Sequence, residues 1–468
     1  MSTQSTPTDA IMQIAQVTPE ITWLFTAILA AMVLSLALEE KIHAKKSLIV
    51  GLFAIISLVL GTALNIIPFG EITLPGGHQI EMPVYVSAVD WGVIAIILGS
   101  SLFVDVTSKS GLFGWIAIKL TKASSGDPLK LLWYYGIMTV VFSAVLNNVT
   151  AMIIVGSLTA VSLGKLNREK LLLGFLLTEG LLTNIGGLLT LISSVPNIII
   201  GNAANISFVD FFLKASPFVL VATIATIYMS TKLFSIKGLS SDEEKQEARF
   251  LISSFDENDG IESRAFFWFA SIMLLLFIVA IASASVMPIE KELGMGFVAM
   301  GFAAIMLIRH KSEVDQFYKS LDWDLIGFFM ALFVVISVME HARVLELIGS
   351  GINIIIGEQL SLFGTSMLLV SSAVASSVTD NIPLAAMLSK ILVAGGTPES
   401  SPLWWSVVFG ANLGGNLTPI GSASTLVAVT IIHKYKLELS FAGFVKKAFP
   451  FAVLHIALAS VYVLVFLY

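Results

Sequence analysis

Four short polar interruptions carry most of the chemistry this chain could perform. Asn147-Asn148-Val149-Thr150 and Asp380-Asn381-Ile382-Pro383 each lie inside an apolar run, Leu131–Leu163 and Met367–Val393. About 30 to 36 residues after each comes a second, glycine-rich break. These are Thr183-Asn184-Ile185-Gly186-Gly187 and Ala411-Asn412-Leu413-Gly414-Gly415-Asn416. In hydrocarbon, Asn, Gly, Thr and Pro are costly unless the freed backbone lines a cavity or an ion site. Amides and hydroxyls can donate to an anion or accept from a cation. Two carboxyl groups accompany them: Asp380 at one interruption and Glu179, one turn before Thr183. Either could couple transport to Na+ or H+. Either also has a structural reading, Asp380 as a helix N-cap and Glu179 as a buried acid bonded to a hydroxyl such as Thr183.

The elements that must position these residues are membrane helices. The chain is 56% hydrophobic and 12% charged, with mean hydropathy +0.91, so a soluble domain is excluded. Ile21–Leu38 runs 18 residues without a charge and reads as a retained span, not a signal peptide. The net charge of −6 is scattered over short loops, and no basic stripe suggests nucleic acid. With zero cysteines there is no disulfide framework and no thiolate metal or redox site. No HExxH, P-loop or Cys/His cluster points to an enzyme or an ATP-driven pump. The Met and Phe richness reads as packing and lipid surface, and no cofactor beyond a candidate Na+ is implied.

Basic residues set the direction of each span. Lys41, Lys45 and Lys46 follow the first span, and Lys109, Lys119, Lys122 and Lys130 crowd a later connection; both are expected in the cytoplasm. Gly111–Leu120 between them is too short to span and is expected along the interface. Lys130 and Lys165, Arg168, Lys170 flank 131–163 on both sides, so this run is expected to be a re-entrant hairpin with its tip at Asn147–Thr150. The second hairpin is 361–393. Residues 171–201 and 403–433 are expected to be broken helices, and 237–264, with eight acids and four bases, a cytoplasmic linker. Landmarks repeat across the linker. Asp90-Trp91 recurs as Asp322-Trp323 after 232 residues, Asn148 as Asn381 and Pro217 as Pro450 after 233, and Gly186 as Gly414 after 228. The charge pattern reverses between the copies. Residues 1–236 and 265–468 therefore read as two inverted repeats of about five spans each, in an all-α, multi-pass protein of the cell membrane with both termini outside. Asp90 and Asp322, beside tryptophans, and Glu340 and His341, near a span's end, read as interfacial.

Inverted repeats with broken helices belong to alternating-access secondary transporters. The segments SAVLNNVTAMII, LLTEGLLTNIGGLLTLISSVPNIII, LDWDLIGFFMALFVV, SSVTDNIP and FGANLGGNLTPIGSAST resemble the signature segments of the ion transporter superfamily, which carries a citrate-transporter-like domain. They are most similar to the branch of the arsenite pump membrane subunit, the D-type Na+/H+ antiporters and the melanosomal P protein. The resemblance covers about residues 85–465. It implies a homodimer in which hairpins and broken helices move, elevator-like, against a scaffold. Because the repeat relates both tips and both glycine breaks, they are expected to approach one axis and form a site from Asn147, Asn148, Thr150, Thr183, Asn184, Gly186 and Asn197 in one half, and Thr379, Asp380, Asn381, Asn412, Gly414, Asn416 and Thr418 in the other. Na+ would sit at the Asn148/Asn184 or Asn381/Asn412 cluster. Two departures bear on the substrate. Antiporters and the P protein usually open the first tip with Asp-Asn, where this chain has Asn147-Asn148. The P protein has Gly-Asp-Pro-Pro-Asn where this chain has Ser193-Ser194-Val195-Pro196-Asn197. Fewer carboxylates and more amides favour a small anion or oxyanion over a cation. The expected activity is secondary transport of such an anion coupled to Na+ or H+ through Asp380 or Glu179. The alternatives are a Na+/H+ antiporter and an ion channel on the same fold.

Overall fold

The computed structural model describes residues 17–67, 70–73, 79–283, 288–357 and 361–468. Among them, nine helices are long and apolar enough to cross a membrane. Large apolar side chains lie bare on their outer faces, such as Leu220 at 63% exposure and Phe466 at 70%. In water such surface would drive aggregation; in lipid it is solvated.

The chain divides into two compact units. The smaller runs to Trp91 and takes up Asp322–Gly351. Its helices Pro19–Ala37, Lys46–Ala63 and Trp323–His341 are tied at both ends. Ser47 donates its N–H and its hydroxyl to Asp324 at 3.3 and 2.5 Å, and Thr22 donates to the Ala342 carbonyl at 3.0 Å. Asp322 caps the third helix by accepting from the Leu325 N–H. The stretch after the second helix departs from the all-α expectation. Gly70–Thr73 pairs antiparallel with Gln79–Met82, Glu71 opposite Glu81 and Ile72 opposite Ile80.

The larger unit spans Gly92–Leu321 and Ile352–Tyr468. Two helix pairs cover the runs 131–163 and 361–393, and both arms of the first pair are long and apolar enough to cross a membrane. Pro128–Val145 is followed by Asn148–Lys165, and Leu362–Val378 by Asn381–Ala394. The first helix starts cleanly because Pro128 occupies its first turn and the Asp127 carboxylate accepts from the Leu129 and Lys130 N–H groups. Each pair turns on two extended residues, Leu146-Asn147 and Thr379-Asp380. The broken helices are Leu172–Gly186 with Val195–Ala203, and Pro402–Gly414 with Ala423–Lys434. Each half closes on a long helix with a proline inside it, Phe208–Leu233 with Pro217 and Phe441–Tyr462 with Pro450.

The linker folds against the base of the first hairpin. Ser241 and Glu244 form a capping box that starts helix Asp242–Ile252. Asp127 accepts from the Leu239 N–H at 3.1 Å. Glu257 pairs with Lys119 at 2.8 Å and with Lys122, while Lys165 stands over the Phe255 ring. Gly126, at φ +74, lets the chain turn where a side chain would strike Ala248.

Candidate functional site

Two helix crossings bring the breaks together. The first arm of each hairpin packs on the first half of the following broken helix. A methyl group on Gly186 would meet the Val140 carbonyl oxygen at 2.6 Å, and one on Gly414 the Ala373 oxygen at 2.2 Å. Only glycine allows this approach. Beside each glycine a serine ties the pair, Ser143 donating to the Thr183 carbonyl at 2.6 Å and Ser376 to the Ala411 carbonyl at 2.6 Å. The two sets match at the sequence offsets of 233 and 228 residues.

Between the halves the contacts are reciprocal. Ser422 donates to Asn184 Oδ1 at 2.9 Å, and Ser194 donates to Asn412 Oδ1 at 2.8 Å. Asn184 Nδ2 reaches Thr425 Oγ1 at 3.2 Å, and Asn412 Nδ2 reaches Asn197 Oδ1 at 2.9 Å. Thr425 donates in turn to the Gly415 carbonyl and Asn197 to the Gly187 carbonyl. Every residue maps onto its counterpart after 228 positions. In these contacts i meets j and the counterpart of j meets the counterpart of i. The packing crosses over as well. Asn148–Lys165 lies on Ala423–Lys434, and Asn381–Ala394 lies on Val195–Ala203.

The network also shows which groups have capacity to spare. Asn184 Nδ2 donates to Thr425 and, at 2.9 Å, to Asn416. Its oxygen accepts from Ser422, from Ser424 at 3.1 Å and from Asn148 at 3.5 Å. An amide can do no more than this. Asn184, Asn412 and Asn197, all fully buried, therefore hold the breaks together and position what surrounds them. Thr183 donates back to the Gly180 carbonyl, and Thr418 to the Ser377 carbonyl. Gly186 and Gly414 serve the crossings.

The tips are more open. Asn147 is exposed and caps its helix by accepting from the Thr150 N–H at 2.8 Å; Asp380 caps the matching helix through the Ile382 N–H at 3.1 Å. Asn148, Thr150, Thr379 and Asp380 are half-buried. Thr379 also bonds the Ala375 carbonyl. Asn381 is buried but lies outside the bonded network.

The second halves of the broken helices begin at Ser194 and Ser422, residues that normally close a helix N-terminus with their own hydroxyls. Neither does so. The Ser422 hydroxyl is turned to Asn184 and the Ser194 hydroxyl to Asn412. The N–H groups of Ala423, Ser424 and Thr425 are left without a side-chain cap. In the first half Pro196 has no N–H and Asn197 donates to the Ser194 carbonyl, so Val195 alone corresponds. An uncapped helix start carries partial positive charge and suits an anion.

Sequence reasoning missed Ser194, Ser422, Ser424 and Thr425, although the 228-residue offset connects Ser194 to Ser422 and Asn197 to Thr425. It also misassigned the partner of Glu179. The carboxyl is bonded by Thr159 at 2.5 Å, because the Thr183 hydroxyl is taken by its own helix. A further buried chain runs from Asn416 Nδ2 to His455 Nδ1 at 3.3 Å, and from His455 Nε2 to Thr226 at 2.7 Å. Thr226 already donates to the Ala222 carbonyl, which makes Nε2 the protonated nitrogen. Among the described residues no cluster of three or more His, Cys, Asp or Glu could hold a metal ion. A Na+ site would rest on oxygens such as the Asp380 carboxylate and its neighbouring carbonyls and hydroxyls.

Comparison with known proteins fits this arrangement. The 46 kDa membrane protein of Mycobacterium leprae is 30% identical over 381 residues, 80% of this chain and 86% of that one. An uncharacterized transporter of Mycobacterium tuberculosis is 28% identical over 382 residues, with the same coverage. The human P protein is 25% identical over 517 residues, 94% of this chain and 59% of that one. Two solved structures share the fold at 13% identity. The YdaH transporter of Alcanivorax borkumensis has a TM-score of 0.54 and covers 96% of this chain and 98% of its own. MtrF of Neisseria gonorrhoeae, described as illuminating a class of antimetabolite efflux pumps, has a TM-score of 0.56 with 97% and 96% covered. The family described as citrate transporter matches residues 47–410. This chain is a multi-pass membrane transporter that belongs to the citrate transporter family.

Proposed function

We propose that the protein is a secondary transporter of a small anion or oxyanion, coupled to Na+ or H+, built from two inverted repeats and working by elevator-type alternating access as a homodimer. The observation that carries the anion reading is the pair of turned serines. By donating across the axis, Ser422 leaves the start of Ala423–Lys434 uncapped, and Asn148 reaches that region through Asn184. Neither Asn147-Asn148 nor Ser422-Ala423 brings a carboxylate. The anion would therefore take the Asn148/Thr150 tip with the Ala423 helix start. The coupling cation would take the opposite tip, where Asp380 supplies the negative charge. The family's description names citrate, a carboxylate-bearing anion that such a site could bind. The reciprocal contacts support the repeats, and the division into two compact units supports a transport unit with its own scaffold.

The test is thermal stability of the purified protein in detergent against citrate, phosphate, Na+ and Li+, since a ligand stabilises the state it binds. At least one anion should raise the midpoint, more so with the coupling cation present. Stabilisation by Na+ or Li+ with no anion effect would replace this reading with the Na+/H+ antiporter.

A further inference from the structure

The first half contains a second set of buried polar groups that the site above does not use. Thr121 Oγ1 lies 2.8 Å from Tyr135 Oη, and Tyr135 Oη lies 2.8 Å from Ser162 Oγ. One turn before Ser162 on the same helix, Thr159 donates to Glu179 Oε1 at 2.5 Å. These five side chains come from four helices, and none is more than 4% exposed. Glu179 Oε2 is buried without a partner. An orphaned carboxyl oxygen destabilises the packing around it, so a chain that retains one needs a use for it.

Four of the five have no polar counterpart in the second half. At the repeat offsets Tyr135, Ser162, Thr159 and Glu179 correspond to Leu368, Gly395, Leu392 and Val407. Packing evidently does not require hydroxyls and an acid at these positions, because the other copy fills them with apolar residues and glycine. The row also has a direction. Thr121 is three residues from the end of helix Leu112–Ser124 and adjoins Lys122, which pairs with Glu257 of the linker. Glu179 lies seven residues into its own helix, about 11 Å along it, and one turn from the break at Thr183–Gly187.

We propose that Thr121, Tyr135, Ser162 and Thr159 form a proton relay between the linker face and Glu179, and that Glu179 is the proton-carrying group of the transporter. This rests on the transport reading above. Each hydroxyl gives up one proton as it receives another. Thr159 passes its proton to the ionised carboxylate, one O–H bond forming as another breaks. Thr159 is refilled from Ser162, one turn along the helix, through an intervening water. Ser162 is refilled from Tyr135 and Tyr135 from Thr121. Thr121, whose hydroxyl otherwise donates to the Ala117 carbonyl, is refilled from water at the linker face. The net change is one H+ moved, with no oxidation. Of the groups around Glu179, Tyr135 is the ionisable one on Pro128–Val145. Thr159 faces it from Asn148–Lys165. Ala428 of Ala423–Lys434 meets Gly180 beside it. His455, bonded to Thr226 of Phe208–Leu233, is committed to that hydroxyl and to Asn416. Lys119, Lys122 and Glu257 stand at the mouth.

Infrared difference spectroscopy after a pH jump, on the full-length protein in nanodiscs without any transport substrate, tests the relay. The wild type should show a protonated-carboxyl band that grows after acidification. Carbon-13 glutamate labelling should shift it, and Glu179→Gln should remove it. Tyr135→Phe and Ser162→Ala should keep the band and slow its rise tenfold or more. Absence of the band in the wild type, or an unchanged rate in both hydroxyl variants, overturns the relay. If Glu179→Gln does not fold, the isotope shift and the two rates still decide. Because no substrate is used, the relay can fail while anions still stabilise the protein, and the transport reading can fail while the band persists.

Discussion

Replacing Gly414 with alanine tests whether the glycine breaks are helix crossings. The added methyl would stand 2.2 Å from the Ala373 carbonyl oxygen and 2.7 Å from Ser376 Cβ. A carbon tolerates an oxygen at about 3.3 Å, so the two helices must part by roughly 1 Å. Two residues earlier on the same helix, Asn412 bonds Asn197 of the other broken helix at 2.9 Å. If the whole displacement fell there, the bond would stretch beyond hydrogen-bonding range. Overpacking costs about 1–3 kcal/mol and the strained bond about 1 kcal/mol, against a gain of up to about 1 kcal/mol in helix propensity. The expected net loss is about 1–3 kcal/mol. Gly186→Ala, with its nearest contact at 2.6 Å, should lose less. Gly164→Ala, with nothing within 4 Å, should be neutral or slightly stabilised. Denaturation of the three variants in one detergent measures the series. Gly414→Ala as stable as Gly164→Ala would refute the crossing and, with it, the route from glycine to Asn412.

The serine pair should respond unequally. Asn412 Oδ1 accepts from Ser194, whereas Asn184 Oδ1 keeps Ser424 when Ser422 is lost, so Ser194→Ala should cost about 1 kcal/mol and Ser422→Ala less. Equal losses on denaturation would show that the amide oxygens are not held as described. Asp380→Asn keeps a side chain suited to the N-cap and should leave the melting midpoint within a degree or so, while abolishing the Na+ dependence of anion-induced stabilisation. An unchanged dependence would remove Asp380 from the coupling. At the linker, Lys119 and then Lys122 hold the Glu257 carboxyl down at about 2, below its ordinary 4.5. A lowered acid adds stability above its unfolded value and loses it as pH falls toward the folded one. Protection of the 242–252 amides, taken relative to their intrinsic exchange rate at each pH, should therefore fall between pH 4.5 and about 2. Glu257→Gln should exchange faster at neutral pH and lose that acid step; the same acid step in Glu257→Gln would assign it to another group.

Much of this was legible in the sequence because lipid allows few exceptions. A polar residue inside an apolar run marks a break, and Leu146-Asn147 and Thr379-Asp380 are indeed the extended turns between helices. Partners were less legible. Ser194 and Asn412 are 218 residues apart, Thr226 and His455 229, and no local pattern joins them. The Glu179 reading failed on a local competition, in which a threonine one turn away bonded its own helix and left the acid to a neighbouring one. The strand pair at 70–82 was there to be read. Glu71-Ile72-Thr73 and Gln79-Ile80-Glu81 alternate around Pro75-Gly76-Gly77, a hairpin signal outweighed by the surrounding spans.

Symmetry separates two kinds of residue in this chain. Groups that recur at the repeat offsets build the meeting point of the breaks: Ser143 and Ser376 each donate to a carbonyl of the adjacent broken helix, and Asn184 and Asn412 accept from Ser422 and Ser194. A duplicated architecture needs them twice. Groups without a polar counterpart are Glu179, Thr159, Tyr135, His455, whose counterpart is Ala222, and Asn416, whose counterpart is Leu188. A transporter that couples two fluxes must treat its two ligands differently, and a symmetric site cannot. Chemical differences between the copies are therefore where coupling should reside. Asp380 differs from Asn147 by one carboxylate in place of an amide, at positions where both cap a helix equally well. That single difference gives one tip a charge the other lacks.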